Sequence, residues 1–246
     1  MGDFRQQNRY KNLDDPQLAS DIAAIPVNVD FTRKFVARTY IYMFLALAVT
    51  ALTSYFVAST SLITYIFGNA FIFWGLIISE FVLVIYLSSS ILKLSTGAAL
   101  FWFLLYSVIN GATLSSIFLI YTKASIFTTL LVTSAMFLVM SIVGFATKSN
   151  LLNFGGYLMT GLIGLIIASV VNIFLKSSSL YWIISCAGVF IFTVLIAYST
   201  QKLKLLAGMA SFEQNGVRFT VLAALDLYLN FINLLLYVLR FLGKKR

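Results

Sequence analysis

The sequence contains no histidine, one cysteine and only eight acidic residues among 246. Without histidine the chain has no His-metal site and no Ser-His or Cys-His nucleophile. A single cysteine, Cys186, cannot form an intramolecular disulfide. Five of the eight acids lie within the first 30 residues, so few are left for acid–base chemistry. We therefore expect no enzymatic activity, no cofactor and no metal centre.

Charge is also scarce, at 10% of residues, whereas 61% are hydrophobic. A soluble domain is about 25% charged and about 45–50% apolar. A chain this apolar cannot cover its surface with polar groups, so lipid is the expected solvent for much of it. The net charge of +9 comes from basic residues that stand singly between apolar runs. That pattern orients membrane proteins, so the expected partner is a lipid bilayer and not a nucleic acid.

Proline occurs only as Pro16 and Pro26, in a polar N-terminal stretch that lacks the apolar segment of a signal peptide. We predict a flexible cytoplasmic tail over residues 1–33, a membrane domain over 34–243 and a basic tail at 244–246. Continuous apolar runs, each long enough to cross about 30 Å of hydrocarbon, predict an all-α integral membrane protein rather than a β-barrel. The seven predicted spans are 36–58, 70–91, 98–122, 125–147, 155–175, 180–201 and 219–241.

Eleven basic residues precede the first span or lie in loops on the same side, against two in the opposite loops. The positive-inside rule therefore predicts a cytoplasmic N-terminus. Seven crossings would place four C-terminal basic residues outside, against that rule. Either the last run crosses despite its charges or it enters and returns; its length favours seven crossings. The four residues are Arg240, Lys244, Lys245 and Arg246.

Small residues recur every fourth position in the fifth span. Small side chains let two membrane helices approach closely, so this face is predicted to pack against a neighbouring helix. Asn172, at the end of the stripe, is expected to bond to that neighbour. The stripe consists of Gly156, Thr160, Gly164, Ala168 and Asn172. A weaker stripe in the third span contains Ser107, Asn110, Gly111 and Thr113.

The apolar runs contain only two acids, Glu80 and Asp226. An ionised carboxylate at mid-membrane costs about 2.5–3.5 kcal/mol, so each must meet water, meet a partner or hold a proton. At 100° per residue, Asp226, Asn230, Asn233 and Tyr237 lie within roughly 60° of one another. Such a polar face cannot point at lipid, which predicts that the last helix is central in the bundle.

Asp226 also allows a simpler interpretation, because it lies near one end of its run. It would then form an ion pair with a basic residue at the cytoplasmic end of the bundle. The candidate bases are Lys202, Lys204 and Arg218.

The last run, "AALDLYLNFINLLLYVLRFLG", resembles the C-terminal helix of the Bax inhibitor-1 family, with its Leu-Tyr-Leu-Asp-Phe-Ile-Asn-Leu core. Four further stretches resemble other helices of that family, in the family's order: "FVARTYIYMFLALAVTALTSYFVA", "LLYSVINGATLSSIF", "GLIIASVVNIFL" and "IAYSTQKL". The resemblance implies seven membrane helices with the last one central, a cytoplasmic N-terminus and a proton-sensitive calcium leak.

The sequence departs from this family at the pH-sensing pair of aspartates on the last two helices. Ser199 and Asn230 stand at the two positions, and these residues can hydrogen-bond but cannot titrate. Asp226, one turn before Asn230, is a candidate displaced carboxylate, and Glu80 stands where the family also carries a glutamate. The implied ion pathway, with weak or altered pH gating, comprises Glu80, Asp226, Asn230, Ser199 and Asn233.

Two functions remain open from the sequence. The first is a calcium leak, in which the oxygen-rich set binds Ca²⁺ transiently, since hard cations prefer oxygen ligands. The alternative is a non-conducting regulator of a membrane-embedded ATP-dependent protease, with the N-terminal tail as the binding segment. A proton-coupled transporter would need an inverted repeat, and none is evident. The absence of glycosylation sequons favours a bacterial inner membrane.

Overall fold

The computed structural model describes residues 29–211 and 216–246. Over these ranges the chain is helical and forms no strand beyond one isolated β-bridge. Seven of its helical segments are long and apolar enough to cross a membrane. The predicted all-α integral membrane fold is therefore confirmed. The helices are α1 (Val29–Ser59), α2 (Leu62–Gly68), α3 (Ala70–Ser90), α4 (Thr96–Leu114), α5 (Ile117–Ile120), α6 (Lys123–Ala146), a 3₁₀-helix (Leu151–Phe154), α7 (Gly155–Leu175), α8 (Ser178–Ser211) and α9 (Val217–Leu242).

Three helix boundaries differ from the predicted spans by more than a few residues. The third span ends its first helix, α4, at Leu114 and continues as the short helix α5 to Ile120. Helix α1 begins at Val29, so residues 29–33 of the predicted tail are helical, and the rest of that tail lies outside the described residues. Helix α8 continues to Ser211, ten residues beyond the predicted end at 201. The prediction ended there because Lys202 and Lys204 lower the local hydropathy, yet the helix continues and most of residues 203–210 are buried.

Helix α9 is the centre of the bundle. It packs against α1, α4, α6 and α8, and buried residues occur on it from Phe219 to Leu239. Helices α3 and α7 are peripheral: α3 packs on α4, and α7 packs on α8. The membrane-spanning helices around α9, including α3 and α7, present large apolar side chains outward, as lipid contact requires. The predicted central position of the last helix is confirmed.

The C-terminal end of α9 meets the junction between α5 and α6. Thr122 donates its backbone N–H to the Lys244 carbonyl at 3.2 Å, and Arg246 donates to the Ile120 carbonyl at 2.9 Å. Lys244 donates its N–H to Ser125 Oγ at 2.9 Å. The α5–α6 junction follows the third span, so α9 runs the whole length of the bundle and ends opposite the start of α1. This path is the one that seven crossings require, and residues 244–246 of the predicted basic tail pair with the α5–α6 junction.

Most of the small-residue stripe on α7 faces away from the other helices in the described part of the chain. Gly156, Thr160 and Gly164 are exposed, and a Cβ added at either glycine would meet no atom within 4 Å. Ala168 is half-buried, and Asn172 accepts a hydrogen bond from Ser177 N at 3.1 Å, at the end of its own helix. The predicted packing face is therefore corrected: it turns outward because α7 is peripheral.

Close helix approaches occur instead at glycines of α4 and α6. A Cβ at Gly111 would lie 2.6 Å from the carbonyl oxygen of Thr50, on α1. A Cβ at Gly144 would collide with the carbonyl of Ala197, on α8. Both contacts bring backbones together in the way that small residues allow between membrane helices. The weaker stripe of the third span thus includes a packing glycine, Gly111.

Candidate polar site in the membrane core

The two positions of the missing aspartate pair are in contact. Asn230 on α9 donates a hydrogen bond from Nδ2 to Ser199 Oγ on α8, at 2.9 Å. Both residues are buried, with 6% and 2% of their surface exposed. A neutral amide and a hydroxyl share this bond, so it links the two helices without a titratable group.

The other residues of the predicted polar face of α9 make different contacts. Asn233 is half-buried and donates from Nδ2 to the carbonyl of Leu229, in its own helix, at 2.8 Å. The ring of Tyr237 stacks on Phe192 of α8, with 5.6 Å between ring centroids. Asn230 is thus the residue of this face that makes a polar bond to a neighbouring helix.

Asp226 is half-buried, and it makes no hydrogen bond or ion pair with any residue in the described ranges. The ion pair considered from the sequence is therefore not formed. The three candidate bases lie against other groups: Lys204 against the carbonyl of Phe145, Arg218 against the carbonyl of Leu92, and Lys202 against the ring of Tyr198.

A larger polar network occupies the opposite side of α9. Tyr228 donates its hydroxyl proton to Asn110 Oδ1 on α4 at 3.0 Å. Asn110 donates from Nδ2 to Glu80 Oε1 on α3, at 3.5 Å. The Tyr228 hydroxyl also lies 2.7 Å from Thr50 Oγ1 on α1. Thr50 in turn donates to the carbonyl of Ser107, at 3.0 Å. We call Glu80, Asn110, Tyr228, Thr50 and Ser107 the Tyr228 network.

The network is continuous from α1 to α3. Tyr228 donates to Asn110 and Thr50 donates to the Ser107 carbonyl, while either hydroxyl can donate in the contact between Tyr228 and Thr50. Asn110 uses its amide oxygen towards Tyr228 and its amide nitrogen towards Glu80. The carboxylate of Glu80 therefore ends a chain of bonds that starts on α1.

Packing around Tyr228 keeps this network in place. Tyr228 is fully buried, and its ring makes edge-on contacts with Phe103 and Tyr106, at centroid distances of 5.5 and 5.9 Å. The absence of a side chain at Gly111 lets α4 and α1 come close enough for Thr50 to reach the carbonyl of Ser107. Glu80 is half-buried at the middle of α3, whereas the other members of the network are buried, so Glu80 is the most accessible end of the network.

Sequence reasoning found Glu80 but missed Thr50 and the role of Tyr228. Tyr228 follows Asp226 by two positions and therefore lies about 160° away from it around the helix, off the polar face that the periodicity identified. A signal was present in the third span, where Asn110 sits in an apolar helix. An amide in that setting needs a partner on another helix, and a tyrosine of the central helix supplies it.

Within the described residues there is no group of three or more His, Cys, Asp or Glu side chains that could hold a metal ion. The oxygens of the Tyr228 network are one carboxylate together with amide, hydroxyl and carbonyl groups. Such a set offers a cation one full negative charge and several neutral ligands.

The fold and the buried polar contacts together define a seven-helix integral membrane protein with a hydrogen-bonded core. The family model described as "Inhibitor of apoptosis-promoting Bax1" matches residues 32–246. The chain therefore belongs to the Bax inhibitor-1 family.

Relatives from distant bacteria support this assignment. The chain is 43% identical to "Inner membrane protein YbhL" of Escherichia coli K12 over 215 residues, which cover 86% of this chain and 92% of that protein. An uncharacterized protein of Borreliella burgdorferi is also 43% identical over 215 residues, covering 87% and 93% of the two chains. An uncharacterized membrane protein of Streptococcus pyogenes serotype M1 is 35% identical over 214 residues, covering 86% and 93%.

Proposed function

We propose that the protein is a leak pathway for cations, calcium in particular, across a bacterial inner membrane, with its N-terminus in the cytoplasm. The observation that carries the proposal is Glu80. This carboxylate lies at the middle of a membrane span and is bonded through Asn110 to Tyr228 of the central helix. A charged group at that depth costs at least about 2.5–3.5 kcal/mol, and such residues mark ion pathways in membrane proteins.

The ligand chemistry of the Tyr228 network supports a hard cation. Calcium takes about six to eight oxygen ligands, and a site with a single carboxylate holds it weakly. Conduction needs binding that is strong enough for entry and weak enough for release. Glu80 would provide the charge, and the hydroxyl of Thr113 on α4, which lies beside Glu80, would provide a neutral oxygen.

The position of α3 suggests how the pathway opens. This helix packs on α4 at the edge of the bundle, so it can shift without unpacking the central helix. The Asn110–Glu80 bond, at 3.5 Å, is the longest in the network, so it is the one that a shift of α3 would break first. Such a shift would free Glu80 for an ion.

We further propose that pH gating is weak, because the Ser199–Asn230 contact contains no titratable group. In this proposal Asn230 and Ser199 hold α8 against α9, and Asn233 and Asp226 line the same face. A cation is then bound only in passing and is not a cofactor.

The test is calcium flux into vesicles that contain the purified full-length protein, measured over a range of pH. Glu80→Gln keeps the size and a hydrogen-bonding oxygen but removes the charge, and flux should fall by about tenfold or more. Asp226→Asn is the matched control, and it should leave flux within about twofold because Asp226 has no bonded partner among the described residues.

Two results would contradict the proposal. If the parent protein gives no flux above protein-free vesicles, the leak is wrong, and regulation of a membrane-embedded ATP-dependent protease becomes the better hypothesis. A steep change of flux between about pH 6 and 8 that survives both substitutions would show that gating resides in neither carboxylate.

A further inference from the structure

A pocket of about 560 Å³ lies at the end of the bundle where α9 stops. It opens between α5, α7, α8 and the last turn of α9. Its polar lining includes Tyr121, Lys176, Tyr181, Arg240 and Lys245, and the rest is mostly apolar. The volume falls within the range of about 300–1,000 Å³ that is typical of ligand pockets. The pocket is separate from the Tyr228 network, which lies in the middle of the bundle.

The lining of this pocket carries positive charge without compensation. Three basic side chains line it, and no acidic residue does. The acids that the structure describes are Asp30 at the start of α1, Glu80 in the middle of α3 and Asp226 in the first half of α9. An anion in the pocket would therefore meet three cations and no opposing carboxylate.

The basic groups are held in position. The guanidinium of Arg240 lies 5.9 Å from the ring centroid of Tyr181, and the ammonium of Lys245 lies 6.0 Å from the same centroid. Lys245 is anchored because its neighbours Lys244 and Arg246 pair with the backbone at residues 120 and 122. Lys176 adopts a left-handed conformation with φ 50°, which a non-glycine residue rarely adopts.

Two tyrosines add neutral hydrogen-bond donors. Tyr121 and Tyr181 both line the pocket, beside the basic groups. Burial, together with the neighbouring Tyr181, raises the pKa of Tyr121 to about 12, so its phenol stays protonated at neutral pH. A phosphate oxygen accepts from phenol, guanidinium and ammonium groups alike.

We propose that this pocket binds the phosphate group of an anionic phospholipid, with the acyl chains along its apolar side. The pocket lies at the ends of membrane spans, where lipid headgroups are found and where tyrosine and basic residues anchor to them. Isoleucine and leucine side chains of α5, α7, α8 and α9 form the wall along which the chains would run: Ile117, Ile120, Ile173, Ile184, Leu236 and Leu239.

The proposal also accounts for a feature that contradicts the positive-inside rule. Seven crossings place the basic C-terminal residues at the end of the bundle opposite the start of α1. A binding role for Arg240 and Lys245 gives these charges a reason to be there that does not depend on topology. It is independent of the proposed calcium leak.

The experiment measures lipid binding to the purified full-length protein in detergent, by native mass spectrometry and by thermal stabilisation. Phosphatidylglycerol is compared with phosphatidylcholine, which has no net charge, and with free glycerol phosphate, which has no acyl chains. We expect phosphatidylglycerol to bind roughly tenfold or more tightly than either, because the pocket offers both charge and an apolar wall.

Arg240→Gln combined with Lys245→Gln should abolish this preference. The matched control is Lys244→Gln with Arg246→Gln, which removes the same charge from the same end but from residues outside the lining. The control should keep the preference. Lys176→Gln serves as a second lining variant and should weaken binding roughly fivefold. Melting in lipid-free detergent checks that each variant folds.

Three outcomes would overturn the proposal. Equal loss in the control pair would show that diffuse surface charge attracts the lipid. Equal binding of phosphatidylcholine would show that charge is not recognised. Tight binding of glycerol phosphate alone would identify the ligand as a free phosphate compound rather than a lipid.

Discussion

The two sides of the central helix use polar groups in different ways. Towards α8, Asn230 makes one buried bond to Ser199, between neutral side chains. Towards α1 and α4, Tyr228 joins Thr50 and Asn110 in a network that ends at the carboxylate of Glu80. Tyr228 and Asn230 are two positions apart, so they point to nearly opposite sides of α9.

The Ser199–Asn230 bond holds two helices together by itself, whereas the groups of the Tyr228 network depend on one another. A single bond between membrane helices contributes about 0.6 kcal/mol on average, and it can be lost without stranding other groups. In a network, each group depends on its neighbours, and removing one leaves buried partners unsatisfied. The Tyr228 network also reaches α3 at the edge of the bundle, so it links a peripheral helix to the central one. The Ser199–Asn230 bond joins only α8 and α9.

The largest effect on stability is expected from Gly111→Leu, which would disrupt the contact between α4 and α1 that supports the Tyr228 network. A side chain there must push α4 away from Thr50, since even a Cβ would lie 2.6 Å from its carbonyl oxygen. We expect a loss of about 3 kcal/mol in the free energy of unfolding, measured by denaturation in mixed micelles. Gly164→Leu is the control, on a surface with nothing within 4 Å, and should change stability by less than about 0.5 kcal/mol. Equal effects would refute the assignment of close packing to Gly111.

Tyr228→Phe breaks the network while keeping the ring. The contacts with Phe103 and Tyr106 survive, but Asn110 Oδ1 loses its donor and Thr50 loses a hydrogen-bond partner. We expect destabilisation by about 1–3 kcal/mol in the same assay. Tyr237→Phe is the control, because its hydroxyl makes no hydrogen bond within the described part of the chain, and it should be nearly neutral. If Tyr228→Phe leaves the free energy of unfolding unchanged, water replaces the hydroxyl.

Asn230→Leu tests the other side of α9 and should cost less, about 0.6–1.7 kcal/mol. Ser199 loses its donor but keeps a hydroxyl that can turn to the backbone of its own helix. A double-mutant cycle with Ser199→Ala should give a coupling close to 0.6 kcal/mol. A cycle with Tyr228→Phe should show additivity within about 0.5 kcal/mol, because the two bonds share no partner. Strong coupling there would contradict the separation of the two sides.

The order and number of the helices could be predicted from the sequence, because each span is a continuous apolar run and lipid leaves the backbone no alternative to a helix. The central position of α9 could also be predicted, since its polar residues lie on one narrow face. The meeting of Ser199 and Asn230 was implied by the family resemblance, and the structure brings these residues together.

Helix neighbours could not be predicted in the same way. Gly156 and Gly164 show the spacing of a packing face, whereas Gly111 and Gly144 make the close contacts. Spacing within one helix does not reveal which neighbour faces it, and in lipid an outward small residue costs little. For the same reason Tyr228 was missed. Its partners lie on other helices, and only the assembled bundle shows that Thr50 and Asn110 converge on one hydroxyl.

The smallest effect on stability is expected from Asp226→Asn. This variant also tests whether Asp226 or Glu80 is the carboxylate that calcium flux requires. Asp226 is half-buried on the face turned towards α8, one turn before Asn230, with no bonded partner in the described ranges. Replacing its charge by an amide of the same shape should change the free energy of unfolding by less than about 0.5 kcal/mol. The comparison is Glu80→Gln, in which an amide oxygen still accepts from Asn110 and the cost of a charge at mid-membrane is removed, so stability should not fall. Calcium flux then separates the two variants, because Glu80→Gln should reduce it and Asp226→Asn should not. If Asp226→Asn instead lowers both stability and calcium flux, Asp226 is a functional acid. The contrast between the neutral Ser199–Asn230 bond and the charged Tyr228 network is then wrong.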